Sequence, residues 1–501
     1  MESKLNQLKE TLGQAYDLSH AAGLLGWDQQ TNMPSGGAEE RGHQMATLAR
    51  LEHQTWTAET TGRLLEDLER ELLPGLDADS QDARLLRVAR YGYDKRTRVP
   101  ARLVADFTQL TTTASEEWVK ARKASNFALF HPSLEKIFEL RREYSACFAP
   151  YEHVYDPLLD DYERGMKTRE VQAIFSALRP RQVDLIRAIA ARPQVDNRFL
   201  RLYYPEQSQW DFGVEVITHF GYDWQRGRQD QAPHPFTEPI GIGDVRITTR
   251  FNPENLGTAL FGTMHEAGHG MYEQGIDRGL QRSPLGEAGS LAVHESQSLM
   301  FENLIGRSLP FWRCFYPRLQ AVFPTQLGNV DLATFYKGIN RVEPSFIRVE
   351  ADEATYNLHI MLRLELEIAL MEGSLAVKDL PEAWNTRMQE YLGVTPPNDA
   401  VGVLQDIHWS HGLIGYFPTY ALGNLVSAQL WERMQHDLPD LEDQIEQGQF
   451  SGLLAWLREK IHRHGNQFTP QELVRNATGS NIDYQPYLRY LENKYSAIYG
   501  L

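Results

Sequence analysis

A chain of 501 residues with 42% hydrophobic side chains can bury a sizeable core, and 50 basic against 67 acidic residues give a formal net charge of −17. That acidity argues against a nucleic-acid partner and mildly favours cationic over anionic substrates through the long-range field. Only two cysteines, Cys147 and Cys314, and a polar start (MESKLNQLKE) without a signal-peptide apolar stretch point to a reduced cytoplasmic setting, and no apolar run approaches a membrane span.

Helical periodicity dominates the chain. Leu5, Leu8, Leu12 and Ala15 open an amphipathic helix, and helical patterns follow near 36–73, 80–126, 133–150, 168–192, 347–372 and 427–464. No repeat, low-complexity tract or Gly/Ser linker interrupts them, so residues 1–501 are expected to form one domain. The clearest strand candidate runs from Asp244 to Phe251, where Val245, Ile247 and Thr249 alternate with Arg246, Thr248 and Arg250. Such a strand either offers an edge to an extended peptide or merely braces the helices, and both readings stand.

Asn252-Pro253-Glu254 supplies an N-cap, a first-turn proline and a first-turn acid, and Leu256, Leu260, Met264, Ala267 and Met271 then recur at helical spacing up to Gly275. Within that helix stands His265-Glu266-Ala267-Gly268-His269, an H-E-x-x-H arrangement. Side chains four apart share a helix face, so His265 and His269 can bind one cation. Glu266, at the edge of that face, can take a proton from a metal-bound water without ligating. A chance match in a chain with 16 histidines has a probability of roughly a few per cent, so context decides.

A catalytic zinc site needs three protein ligands and one open position. Ser290 can cap a second helix through LAVHESQSLMFENLIG, which carries His294 and Glu295. Either could be the third ligand: Glu295 would complete a His₂Glu set, whereas His294, about 100° away on the helix, is better placed for hydrogen bonding around the site than for ligation. The competing reading of Glu295 is a solvated helix acid. Zinc suits this set; cobalt and manganese suit it too.

HEAGH followed by HESQS resembles the Taq-type thermostable metallocarboxypeptidases, metal-dependent exopeptidases of the gluzincin group. The resemblance extends to His234-Pro235-Phe236, to Asp244-Val245-Arg246-Ile247-Thr248, to Ile347–Glu353, to Gly402–Trp409, and to Trp27-Asp28 through Met33-Pro34. It implies a mainly α, two-lobed, neurolysin-like metallopeptidase with a deep central groove and a small β-sheet beside the HEXXH helix. It also implies a homodimer that takes short peptides or unfolded C-termini and releases single C-terminal amino acids. The groove's closed end is implied to involve Asp244, Arg246, Thr248, Gln405, Asp406 and His408, and His234 is implied to bind substrate.

Arg348 is the best candidate to hold the substrate's free carboxylate, because a guanidinium matches it bidentately. Arg246 is the runner-up. Arg348 and Asp352 stand four apart, so on a helix they could instead pair with each other. For the oxyanion, the two phenols of Gly415–Tyr420 are candidates and Tyr420 is favoured, with His408 as a further donor. Two rivals remain: an oligoendopeptidase or dipeptidase on the same fold, and a catalytically silent peptide-binding scaffold with a structural metal. An intact Glu266 argues against the second.

Overall fold

The computed structural model describes residues 2–501. Helices hold 69% of the chain, which settles the class as mainly α. Among the described residues no helix is long and apolar enough to cross a membrane.

The first helix, Glu2–Thr31, buries Leu5, Leu8, Leu12 and Ala15 as its spacing predicts. Several long helical patterns prove to be helix pairs. The 36–73 pattern breaks at Ala58, where ψ turns to 138° between the helices Ala38–Thr57 and Glu59–Glu71. The 80–126 pattern breaks before Pro100, which has no N–H to donate and drives Val99 to ψ 120°, separating Gln81–Arg98 from Ala101–Ala124. The 427–464 pattern resolves into Pro418–Asp437, Leu441–Glu446 and Ser451–Lys460.

Apolar side chains form two cores. The larger gathers the helices from about residue 114 to the C-terminus. The smaller joins the helices up to residue 98 and closes over Ile242, Ile276, Leu280 and Leu285.

The one sheet among the described residues is three-stranded. Strands β1 (Gly227–Gln231), β2 (Thr237–Gly241) and β3 (Asp244–Thr249) lie in the order β1-β3-β2, with β1 and β3 parallel and β2 antiparallel to β3. The strand read from the sequence, β3, is therefore central, with Val245 and Ile247 fully buried. Its backbone groups are already paired on both sides and cannot receive a peptide. The edge on the side of the HEAGH helix is β2, whose Thr237 sits opposite Ile247.

Candidate metal centre and active site

The HEAGH helix spans Leu256–Gly275 and begins three residues later than Asn252-Pro253 suggested: Asn255 Oδ1 accepts the Gly257 N–H at 3.0 Å and caps it. Asn252 closes the preceding turn instead, accepting from Glu254 N–H. Leu256, Leu260, Met264, Ala267 and Met271 are all buried. That leaves His265, Glu266 and His269 facing a cleft of about 520 Å³. The second helix, Leu291–Leu299, is capped by Ser290 Oγ, which accepts from Val293 N–H. The Glu163 carboxylate, fully buried, accepts from Ser290 Oγ at 2.7 Å and Ala292 N–H at 2.6 Å and so fixes where this helix starts.

Gly268 lets the two helices cross in contact. A Cβ there would lie 2.5 Å from the Gln297 carbonyl oxygen and 2.7 Å from Ser298 Cα, backbone that cannot step aside. The crossing brings Glu295 Oε2 to 3.4 Å from His269 Nε2 and 3.8 Å from His265 Nε2. Ligand atoms of His265, His269 and Glu295 all fall within 4.8 Å of one another. Bonds of about 2.1 Å in a tetrahedron set ligands about 3.4 Å apart, so the three donors fit one divalent ion with a fourth side toward the cleft. Burial would raise the Glu295 carboxyl, but the charge of His265 and the hydrogen bond from His269 reverse this and hold it at about 2.

Groups around the set fix its orientation. Glu302 Oε2 lies 2.9 Å from His265 Nδ1, leaving Nε2 for a cation, and Arg307 Nη2 donates to Glu302 in turn. Glu302 belongs to a π-helical turn, Met300–Ile305, that continues the Glu295 helix. His294 does not approach the set as a ligand: its Nε2 meets Glu273 Oε1 at 2.9 Å and its ring stacks on His269 at 4.3 Å. Glu266 is 6% exposed, and Thr237 Oγ1 donates to its Oε2 at 2.7 Å. Burial pushes the Glu266 carboxyl above its ordinary range.

A third helix seals the back of Glu295. A Cβ on Gly423, in Pro418–Asp437, would stand 2.8 Å from Glu295 Cγ and 2.9 Å from its Cβ. Gly423→Ala must therefore displace the carboxylate, and metal affinity measured by chelator competition should fall about 10–100-fold, the range for losing a group that orients a ligand.

The remaining sequence candidates divide sharply. Arg348 and Tyr420 line the cleft, with Tyr416, Tyr356 and Phe236. Arg348 is not helical: it lies in a 3₁₀ turn, Arg348–Glu350, because Asp352 accepts from Ala354 and Thr355 N–H and starts the helix only at Glu353. Pairing with Asp352 therefore does not occur. Asp406 Oδ1 accepts instead from Arg348 Nε and Nη2 at 3.2 and 2.9 Å, while Asp406 Oδ2 accepts from Arg363. Gln405, Asp406 and His408 lie behind the cleft wall. Gln405 Oε1 accepts the Arg348 N–H at 2.8 Å, and its amide donates to the carbonyls of Phe346, Val401 and Gly402, so it braces Arg348. His408 Nε2 faces Tyr420 Oη at 3.4 Å, and burial pushes its imidazole down to about 4.

The candidates on β3, Asp244, Arg246 and Thr248, are outside the cleft. Asp244 and Arg246 close a bidentate pair of 2.7 and 2.9 Å on each other. Thr248 is fully buried, its Oγ1 accepting the Phe236 N–H at 2.8 Å. His234 is exposed, and its neighbours Pro235 and Phe236 make the wall. The sequence reading missed Glu302, Thr237, Tyr356, Arg363 and Glu163. Only Glu302 left a signal, seven residues past Glu295 on the same pattern.

A family model described as Carboxypeptidase Taq (M32) metallopeptidase matches residues 7–495. The chain belongs to the M32 metallocarboxypeptidases. Thermostable carboxypeptidase 1 of Thermus thermophilus is 43% identical over 100% of this chain and 99% of that protein. Carboxypeptidase 1 of Bacillus subtilis is 37% identical over 96% of each. The crystal structure of an M32 carboxypeptidase from Deinococcus radiodurans R1 superposes with a TM-score of 0.97 at 39% identity, covering 100% of both chains. This M32 protein is accordingly a metal-dependent carboxypeptidase, and its divalent ion has a fitting His-His-Glu donor set.

Proposed function

We propose that this cleft releases one C-terminal amino acid per cycle from short peptides and unfolded C-termini, with zinc held by His265, His269 and Glu295 and with Glu266 as general base. The observation that carries the reading is the position of Glu266. It stands between two ligands on one helix, buried, bonded to the hydroxyl of Thr237 and outside the three-donor set. A structural site, closed by four ligands, gains nothing from such an acid.

When bound, zinc polarises the scissile carbonyl and acidifies a water. Glu266 takes the proton from the attacking water and returns it to the departing amine, the role its raised affinity for protons suits. Thr237 holds the Glu266 carboxylate in place during both transfers. Tyr420, on the opposite wall, donates its hydroxyl to the developing oxyanion, and His408 behind it, kept neutral by burial, positions that phenol.

Arg348 anchors the terminal carboxylate. Of its five N–H groups Asp406 accepts two and Tyr356 Oη one, which leaves two for a bidentate contact from the cleft. Two guanidinia, Arg348 and Arg363, share the single Asp406, so one positive charge awaits an anion. Arg246 has no such surplus, being matched by Asp244.

Arg348→Ala should lower kcat/KM for free-acid peptides by roughly 2–4 kcal/mol, about 30- to 1,000-fold, and change amidated peptides little, since an amide never used the contact. Asp406 keeps Arg363 in this variant and is not left unpaired. Equal losses on both substrates would assign Arg348 a purely structural part.

A further inference from the structure

Away from the catalytic cleft, and sharing no residue with it, a cavity of about 650 Å³ opens at the seam between the two cores. The Gln81–Arg98 helix, which supplies Leu85, Leu86 and Val88 to the smaller core, forms one wall. The segment Gln467–Asn476, whose Leu473 and Val474 belong to the larger core, forms the other.

Four guanidinia line this cavity, Arg84, Arg87, Arg164 and Arg475, against two carboxylates, Asp79 and Glu472. Arg84 Nη2 takes Asp79 at 2.8 Å and its guanidinium lies 4.0 Å over the Phe468 ring. Glu472 Oε2 accepts the Thr469 N–H and hydroxyl at 2.8 and 2.9 Å, closing the N-terminus of the Pro470–Thr478 helix. Arg87 donates to the Ala78 carbonyl and Arg475 to Asn481 Oδ1, both neutral acceptors. Arg164 has no hydrogen bond or ion pair among the described residues, and its buried Nε is without a partner.

A chain with a net charge of −17 thus concentrates a formal surplus of two positive charges in one recess, where packed neighbours hold like charges together. Gathering them is unfavourable until an anion enters, and guanidinia match the oxygens of a phosphate bidentately.

We propose that this recess binds a phosphate group, free or carried by a small phosphomonoester, which bridges the N-terminal helices to the body of the protein. Arg164 forms the floor contact, and Arg87 and Arg475, both exposed, close over the anion from opposite walls.

The test is calorimetric titration of inorganic phosphate, and separately of adenosine monophosphate, into the metal-loaded enzyme at low ionic strength with chloride as the control anion. One saturable site is expected, weakened at least about tenfold by Arg164→Gln, the size of one charge-assisted contact, and unchanged by Arg458→Gln in a separate cavity. Phosphate should also raise the Tm of the wild type and not of Arg164→Gln. Tighter binding of the nucleotide identifies a phosphomonoester as the ligand, and equal binding identifies the free anion. Should Arg164→Gln fold poorly, Arg87→Gln, at the exposed rim, provides the same comparison. No saturable binding, or binding that both Arg164→Gln and Arg87→Gln leave intact, overturns the proposal.

Discussion

Replacing Glu266 by glutamine is expected to leave the metal in place and to cut turnover by at least about a hundredfold, the low end for losing a general base. The carboxylate lies outside the donor set, so the three ligand atoms within 4.8 Å of one another survive the change. Glutamine is nearly the same size, and its amide oxygen can still accept the Thr237 hydroxyl that now bonds Oε2 at 2.7 Å. What disappears is the capacity to take a proton and give it back. Elemental analysis of the purified variant beside its kcat checks both halves together. Loss of metal in step with loss of activity would move Glu266 into the ligand set and remove the base from the mechanism.

Glu295→Ala is expected to abolish both metal retention and activity, because three ligands leave no redundancy. The neighbouring histidine offers the control. His294 is bonded to Glu273 at 2.9 Å and only stacks on His269, so His294→Ala should keep the ion and lose a modest part of its affinity. The opposite pattern, metal lost with His294 and kept without Glu295, contradicts the ligand assignment.

The parts of the site legible in the sequence are those fixed by spacing along one helix. His265, Glu266 and His269 need only a regular turn to share a face, and Glu295 follows once Ser290 is recognised as a new helix start. Glu302 was harder to see, since the π-helical turn from Met300 to Ile305 changes which face it presents.

Helix starts erred where two capping residues competed. Asn252 and Asn255 carry the same side chain three residues apart, and the fold gives the cap to Asn255. Asp352, read as a possible partner of Arg348, accepts two backbone N–H groups and begins a helix after it. The true partner, Asp406, is 58 residues away, a distance over which local pattern carries no information. The strand β3 announced itself by alternation, but its central place did not. Its neighbours are five residues each, GRQDQ mostly polar and TEPIG broken by a proline and ending in glycine, and neither alternates.

The most direct measurement of the central claim is mass spectrometry of a short peptide after timed incubation with zinc-replete protein, run in parallel with the same peptide carrying a C-terminal amide. A ladder shortened one residue at a time from the C-terminus, with the amidated peptide largely intact, is the result the geometry of Arg348 and the His265–His269–Glu295 centre predicts. Internal fragments, or equal digestion of both peptides, would contradict it.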